Sequence, residues 1–191
     1  SDKKRPGLLY AGTEWGMFIS FDDGLSWNDF QLNLPVTSIR DIHIKDNDLI
    51  VATHGRSFWM IDDLTPLHQL NNSSLESNAI LFKPDKSYRL AQSGGWRKPN
   101  TLLVGENHPN GVIINYYLKN YEASKDFIKI DILNKDGSMI RTFTNDFEKM
   151  EKSLKEDPVL SNTNDIDYAL SSSNVRSINP KNGGNRLIWD M

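Results

Sequence analysis

The fold is decided by the stretch Ser20-Phe21-Asp22-Asp23-Gly24-Leu25-Ser26-Trp27. It fits the pattern Ser-x-Asp-x-Gly-x-Ser-Trp, and an Asp followed by Gly between two strand-like runs predicts a β-hairpin. The side chains of Ser20 and Asp22 can satisfy N–H groups of the turn, and Gly24 accepts a positive φ. Trp27 begins the return strand and can fold its indole over the turn. We therefore predict structural roles for Ser20, Asp22, Gly24 and Trp27, and no catalytic role for Asp22.

A second copy of the surrounding pattern follows later in the chain. The run Leu8–Thr13 resembles the run Leu49–His54, and each precedes a short loop and a second apolar run. Ala11 corresponds to Ala52, an offset of 41 residues, and a four-stranded propeller blade repeats every ~40–50 residues. The second copy lacks the Gly and Trp of the turn. It continues into Pro66, which argues against another central strand.

These two copies resemble part of a known family. The stretch 20–27, followed one blade later by 52–67, is similar to large bacterial propeller proteins with BNR/Asp-box repeats, which are often labelled glycosyl hydrolase, sialidase-like or sortilin-like. The segments 107–118, 130–137 and 184–191 look like the β-sandwich domain that follows the propeller in that family. The resemblance covers nearly the whole chain, and it is specific for architecture and loose for activity. It implies a mostly β fold: a terminal β-propeller blade or blades, then an immunoglobulin- or fibronectin-like β-sandwich with one short helix.

The expected organisation has three parts. Residues 1–68 form the closing blade or blades of an Asp-box propeller, residues 69–78 form a polar linker, and residues 79–191 form the β-sandwich. A propeller needs at least about four blades to close its ring, and one blade and part of another are visible before residue 70. The sequence also lacks an initiator Met. We therefore expect a C-terminal piece of a longer protein, with the remainder of the propeller as its partner.

The part after the linker shows short apolar runs separated by turns, as in a sandwich. Strands are expected over 79–83, 88–90, 112–119, 127–133 and 139–143, with a turn at 134–137.

One segment breaks this β pattern. Phe147, Met150 and Leu154 lie three and four residues apart and form one apolar helix face. We predict Asn145 as the N-cap, with Glu148 in a capping-box-like arrangement, and an end at or before residue 157 because Pro158 follows. The rest, up to about residue 183, is rich in Ser and Asn and is predicted to be mainly loop. The segment 145–183 is therefore an insertion without an assigned role.

Charge and composition constrain the partners. The formal net charge is −3 with scattered Lys and Arg, so no nucleic-acid partner is predicted. The absence of cysteine excludes a disulfide scaffold and thiolate chemistry. No apolar run approaches the ~20 residues of a membrane helix, so no membrane span is expected in this segment. The family resemblance implies a secreted, periplasmic or cell-surface location.

Four residues are the best candidates for binding a ligand: Glu14, Trp15, His54 and Arg56. They lie in the two loops that join corresponding strands of the two copies, and the resemblance implies that such loops face the ligand-binding rim, with the Asp-box hairpin on the other side. An exposed Trp can stack on a sugar ring, and Arg can hold a carboxylate with two hydrogen bonds. Packing and turn satisfaction are the alternative roles for these residues.

No catalytic residue, metal site or cofactor is predicted. The pairs Asp22–Asp23 and Asp62–Asp63 are adjacent in sequence, so on a strand they point to opposite faces and cannot flank one glycosidic bond. The four histidines show no metal-ligand spacing. The segment 46–48 lacks the remaining spacing of a calcium-binding EF-hand loop.

The leading hypothesis is a non-catalytic segment that supports a propeller and binds protein or glycan. One alternative is the end of a sialidase-like glycoside hydrolase whose catalytic residues lie upstream. The other is a sortilin-like propeller that binds peptides.

Overall fold

The computed structural model describes residues 1–71, 76–88, 110–156 and 175–190. Within these ranges the chain is mostly β, with small sheets that are antiparallel apart from one pair of strands, and with two helices; none of these sheets closes on itself. The chain divides into two compact units. The first contains Ser1–Glu76 and Phe82–Lys86, and the second contains Ser77–Leu81 and the described part of Ser87–Met191.

The first unit contains two three-stranded antiparallel sheets and a short helix. One sheet has the order β1-β2-β3 and the other β4-β5-β6. The elements are β1 (Leu9–Gly12), β2 (Met17–Ser20), β3 (Asn28–Asp29), β4 (Ile39–Lys45), β5 (Asp48–Thr53), β6 (Phe58–Ile61) and α1 (Thr65–Gln69). In both sheets each strand pairs with the next one along the chain, as expected of a meander built from short loops.

The core of the first unit joins the two sheets. Its buried members are Met17 of β2, Leu49 and Val51 of β5, and Leu34 and Leu64 from the connections. Leu64 also donates its backbone N–H to the Asn47 carbonyl oxygen at 2.8 Å, which fastens the chain after β6 to the β4–β5 turn.

The two copies found in the sequence both form antiparallel hairpins, whose registers differ by one residue. Ala11 of β1 pairs with Phe18 of β2, and Ala52 of β5 pairs with Phe58 of β6. The loops 13–16 and 54–57 have the same length, but the partner of Ala11 is seven positions along the chain (18 − 11) and that of Ala52 is six (58 − 52). The offset of 41 residues at the first strand therefore becomes 40 at the paired position of the second. The repeat is therefore a structural repeat of hairpins as well as a sequence pattern.

Helix α1 was not expected from the sequence. The proline at position 66 occupies the first turn of the helix, where its missing N–H needs no helical partner. Asp63 accepts a hydrogen bond from the Thr65 N–H at 2.9 Å just before the helix. Pro66 thus ends the run of strands, as the sequence indicated, and begins a helix in their place.

The second unit also contains two three-stranded sheets. Their orders are β12-β8-β7 and β11-β10-β9, and all pairs are antiparallel except β10 with β11. The elements are β7 (Ala79–Leu81), β8 (Val112–Leu118), β9 (Lys129–Leu133), β10 (Met139–Thr144), α2 (Phe147–Glu156), β11 (Val175–Ser177) and β12 (Gly183–Trp189).

Residues from both sheets form the core of the second unit. Ile114, Tyr116 and Leu187 from one sheet pack with Ile130 and Phe143 from the other. Tyr116, Ile130 and Leu187 alternate with more exposed neighbours along their strands. Phe143 instead lies between the buried Thr142 and Thr144, so the end of β10 is buried on both faces. Both sheets therefore contribute to one apolar cluster.

One expectation for the second unit is wrong, and one short strand was not expected. The N-cap of α2 is Asp146, whose carboxylate accepts the Lys149 N–H at 3.0 Å, whereas Asn145 is committed elsewhere: its amide accepts the Ile128 N–H and donates to the Tyr121 hydroxyl. The segment up to residue 183 was expected to be mainly loop but includes β11, which pairs with β10 over Thr142–Thr144.

Some expectations lie outside the described residues. They concern residues 72–75 of the predicted linker, residues 89–90, 107–109, 157–174 and 191, and the side chain of Leu154.

Candidate functional site

The two candidate loops lie at one end of the sheets of the first unit. The Thr13 carbonyl oxygen accepts the Ile39 N–H at 2.9 Å, and the Ser38 carbonyl oxygen accepts the His54 N–H at 2.9 Å. Both loops are therefore attached to one dipeptide that leads into β4. We call residues 13–16 the first rim loop and residues 54–57 the second rim loop. Together with the adjoining segment 38–40 they form the rim loops.

The first rim loop is a tight turn that leaves its aromatic side chain exposed. Thr13 donates its N–H to the Gly16 carbonyl oxygen at 2.9 Å, and its hydroxyl oxygen accepts the Trp15 N–H at 3.1 Å. The Trp15 side chain is 77% exposed. A large exposed aromatic side chain on a loop whose backbone is held in place is a feature of ligand-binding surfaces.

Gly16 and Gln31 fix the base of this loop. Gly16 has φ +148°, and a Cβ there would lie 1.9 Å from Gln31 Oε1, so no larger residue fits without moving Gln31. The amide of Gln31 donates to the carbonyl oxygens of Leu34 and Pro35 at 2.8 and 2.9 Å. The segment after β3 therefore braces the loop that carries Trp15.

A charged pair lies beside Trp15. Arg40 Nη1 is 3.7 Å from Glu14 Oε1, and both side chains are exposed. An exposed pair of this kind stabilises the fold by about 0–1 kcal/mol, so both groups can exchange their partner for a polar ligand at little cost. The sequence identified Glu14 but not Arg40, because only the packing of β1 beside β4 brings these residues together.

The second rim loop holds its backbone and exposes His54 and Arg56. The Ser57 carbonyl oxygen accepts hydrogen bonds from the N–H and hydroxyl of Thr53, and the Arg56 carbonyl oxygen accepts the Trp59 indole N–H at 2.8 Å. Positive φ values at Gly55 and Ser57 turn the chain sharply. The side chains of His54 and Arg56 are exposed on this turn.

A further polar atom lies between the loops. Ser38 Oγ is buried, and the described residues offer it no hydrogen-bond partner. Together the rim loops present one indole, two guanidinium groups, one carboxylate and one imidazole at the same end of the unit. Such a set suits a polar ligand with a flat apolar face, such as a sugar, or a peptide with acidic groups.

The β2–β3 hairpin, with its turn at residues 20–27, lies at the other end of the first sheet, because consecutive turns of a meander alternate between the two ends. Ser20 Oγ accepts the Gly24 N–H at 2.9 Å and donates to Asp22 Oδ1 at 2.8 Å, and Asp22 Oδ1 accepts the Ser26 N–H at 2.9 Å. A Cβ on Gly24 would lie 3.8 Å from the Trp27 indole, so the ring covers the turn. All four structural residues named from the sequence thus take part in one turn.

Both oxygens of the Asp22 carboxylate accept hydrogen bonds within this turn. Hydrogen bonds from the Ser26 hydroxyl, the Ser26 N–H and the Ser20 hydroxyl lower the pKa of Asp22 from its ordinary value to about 2. These bonds favour the charged form because each donates to the carboxylate. Asp22 is therefore ionised at neutral pH and has no proton to donate as a general acid.

We expect the Asp22 carboxyl carbon to titrate with a midpoint near pH 2 in a carbon-detected NMR titration. Because the folded-state pKa lies below the unfolded value of 3.8, the stabilisation is present above about pH 4 and is lost as the pH falls towards 2. Ser26→Ala removes the hydroxyl donor and should raise the midpoint, whereas Ser124→Ala, an exposed serine in the second unit, should leave it unchanged. A midpoint at the ordinary value in the unmodified protein would contradict this role of Asp22.

No group of three or more His, Asp or Glu side chains within the described ranges is arranged to hold a metal ion. In the turn at 46–48, Asn47 donates to Thr65 Oγ1 and Asp85 Oδ2, so the turn binds neighbouring chain segments. The helices of the described residues are too short and too polar to cross a membrane. Comparison with known protein families, with curated proteins and with solved structures gives no match for this chain.

Proposed function

We propose that this chain is a non-catalytic segment of an Asp-box propeller protein and that its rim loops bind a glycan or a peptide. The observation that carries the proposal is the exposed Trp15 beside the Glu14–Arg40 pair, on a loop braced by Gly16 and Gln31. A ligand that stacks on the indole can also reach the guanidinium group of Arg40, so binding would combine an apolar contact with charged hydrogen bonds.

The repeat supports the propeller part of this proposal. Both copies form antiparallel hairpins, and their sheets share one apolar cluster, as neighbouring blades of a propeller do. In this arrangement the Asp-box turn has a structural role at the end away from the ligand, which agrees with its internally satisfied carboxylate.

A further sheet is the proposed partner of the first unit. The outer face of the sheet β4-β5-β6 carries Phe58 and Met60, which are 77% and 61% exposed, and they pair with Ala52 and Ile50 of β5. Exposed apolar side chains that lie side by side are typical of a surface that another element covers. We assign this face to the remainder of the propeller.

The second unit would act as an accessory β-sandwich of immunoglobulin-like type. Its two sheets share one core, as the layers of a sandwich do. The parallel pair β10–β11 departs from the antiparallel pattern of that class. The proposed location is extracytoplasmic, and it rests on the family resemblance alone.

We expect Trp15→Ala to weaken binding of the best ligand by about tenfold or more, because truncating an exposed aromatic anchor typically costs over 1 kcal/mol. Arg56→Ala should weaken binding of acidic ligands more than neutral ones. Ligands would be found by screening the protein against neutral and acidic oligosaccharides and a peptide library, and affinities measured by calorimetry. Tyr88→Ala, which removes a similarly exposed aromatic side chain outside the first unit, is the matched control.

The same ligands would be assayed for hydrolysis. Ligand turnover by the unmodified chain would contradict the non-catalytic role. Equal affinity of the Trp15→Ala and Tyr88→Ala variants for every ligand would contradict the rim loops as the binding site.

A further inference from the structure

A second cleft of the first unit lies at the end of the sheets opposite the rim loops. Strand β4 begins at Ile39 beside Thr13 and runs away from the rim, and the cleft lies where β4 ends, against the N-terminal segment. Its volume is about 450 Å³, which falls within the ~300–1,000 Å³ of small-ligand sites. The cleft is separate from the rim loops, because the two lie at opposite ends of the extended strand β4.

The cleft is lined by basic side chains from two segments of the chain. Lys3 and Lys4 come from the N-terminal segment, and His43 and Lys45 come from β4. His43 and Lys45 are two residues apart on a strand, so their side chains leave the same face. In the part of the chain that the structure describes, none of the three lysines forms an ion pair with a carboxylate.

The two carboxylates of the lining do not cancel this charge. The side chain of Asp2 is buried, lies 2.9 Å from His68 Nε2 and accepts the N–H groups of Lys4 and Arg5 at 2.8 and 3.0 Å. Its two oxygens therefore have partners other than the lysine ammonium groups. Asp46 is exposed at the β4–β5 turn with φ +56°. Three lysine ammonium groups thus face one carboxylate that is free of internal partners.

The geometry also holds part of the cleft in shape. The bonds from the Lys4 and Arg5 N–H groups to Asp2 fix the backbone that presents Lys3 and Lys4. Lys4 Nζ donates to Asn47 Oδ1 in the β4–β5 turn, which connects the two walls. The cations of the cleft therefore come from segments that are tied together before any ligand binds, and a preorganised site loses less entropy on binding.

We propose that this cleft binds a tetrahedral oxyanion, a phosphate or sulfate group, through Lys3, Lys4 and Lys45, with the His43 imidazole as a further hydrogen-bond donor. Ammonium groups act as compact point charges with several donors and can surround a tetrahedral anion from different sides. The chain as a whole has a net charge of −3, so attraction of an anion to this place requires a local excess of cations, which the cleft provides.

The first experiment is an amide NMR titration of the full chain with inorganic phosphate and, separately, with inorganic sulfate, at constant ionic strength. We expect shifts concentrated at Lys3, Lys4 and residues 43–46, with a dissociation constant on the order of 1 mM. Lys3→Gln/Lys45→Gln should weaken binding about tenfold. The control variant Lys135→Gln/Lys152→Gln changes the net charge equally at two exposed lysines of the second unit and should bind as the unmodified protein does.

The proposal would be overturned if no localised shifts appeared at anion concentrations up to about 50 times the expected dissociation constant. Equal weakening of anion binding in the two double variants would also overturn it. Further arms with a sugar phosphate and a sulfated disaccharide identify the source of the anion. Tighter binding of either compound than of its inorganic ion supports the site and names the carrier, while equal affinities support a site for the free ion. The outcome is independent of the rim-loop proposal, because Trp15→Ala should leave this titration unchanged.

Discussion

Leu49→Ala is expected to lower the free energy of unfolding of the first unit by about 3 kcal/mol. Leu49 lies on the central strand of its sheet, has no exposed surface, and belongs to the cluster that joins the two sheets through Met17. Truncation removes apolar surface and leaves a cavity that neighbouring strands cannot fill, because their hydrogen bonds hold them at fixed spacing. If the two sheets behave as packed blades, this loss should loosen both hairpins together.

The measurement is hydrogen exchange followed by mass spectrometry, combined with urea denaturation. Faster exchange is expected in peptides covering β2, β5 and β6 of the Leu49→Ala variant. Leu25→Ala is the matched control, since Leu25 is 89% exposed and its truncation should change stability by less than about 0.5 kcal/mol. Loss of protection in β5 and β6 without any change in β2 would show that the two sheets do not depend on a common core.

Local patterns predicted much of the first unit. The Asp-Gly turn, the residues of its hydrogen-bonded ring and the repeat of the two hairpins all follow from residues close together in sequence. Both copies form antiparallel hairpins, although the second is paired one residue out of step with the offset of 41 residues. Such features are predictable because turn chemistry and strand alternation act over a few residues.

Features that depend on distant segments were missed. Arg40 became part of the candidate site only because β4 packs beside β1, and the oxyanion cleft requires the N-terminal segment to lie along β4. No pattern within either segment indicates the other. Local sequence therefore predicts which loops carry candidate residues, but it does not predict which distant residues those loops contact.

The N-cap of α2 could not be predicted for a different reason. Asn145 and Asp146 are both good N-cap residues, and the choice between them depends on tertiary contacts. Asn145 bonds to Ile128, Tyr121 and the Asp126 carbonyl oxygen, which leaves Asp146 to cap the helix. Strand β11 was missed for a similar reason, since three residues with one buried Val175 have no periodicity to detect.

Gly111→Ala is expected to destabilise the second unit by about 3 kcal/mol, as the sum of backbone strain and a steric clash. Gly111 has φ +135°, a region that residues with a Cβ rarely adopt. A Cβ at this position would lie 2.4 Å from the carbonyl oxygen of Trp189 and 2.9 Å from its carbonyl carbon. Relief would require β12 to move away from β8, where Val112 pairs with Trp189, and Leu187 of β12 belongs to the core.

A second glycine separates the two contributions. Gly137 in the β9–β10 turn also has a positive φ, of 88°, but a Cβ there would meet no atom within 4 Å. Gly137→Ala should therefore lower the free energy of unfolding by the backbone strain alone, about 1 kcal/mol. The larger loss in Gly111→Ala then measures the steric clash between residue 111 and β12. Denaturation midpoints of both variants give the comparison, and hydrogen exchange should show the loss at β8 and β12 for Gly111→Ala alone. Equal destabilisation by the two substitutions would mean that β12 can shift without loss, so that the pairing at Trp189 does not anchor the sheet.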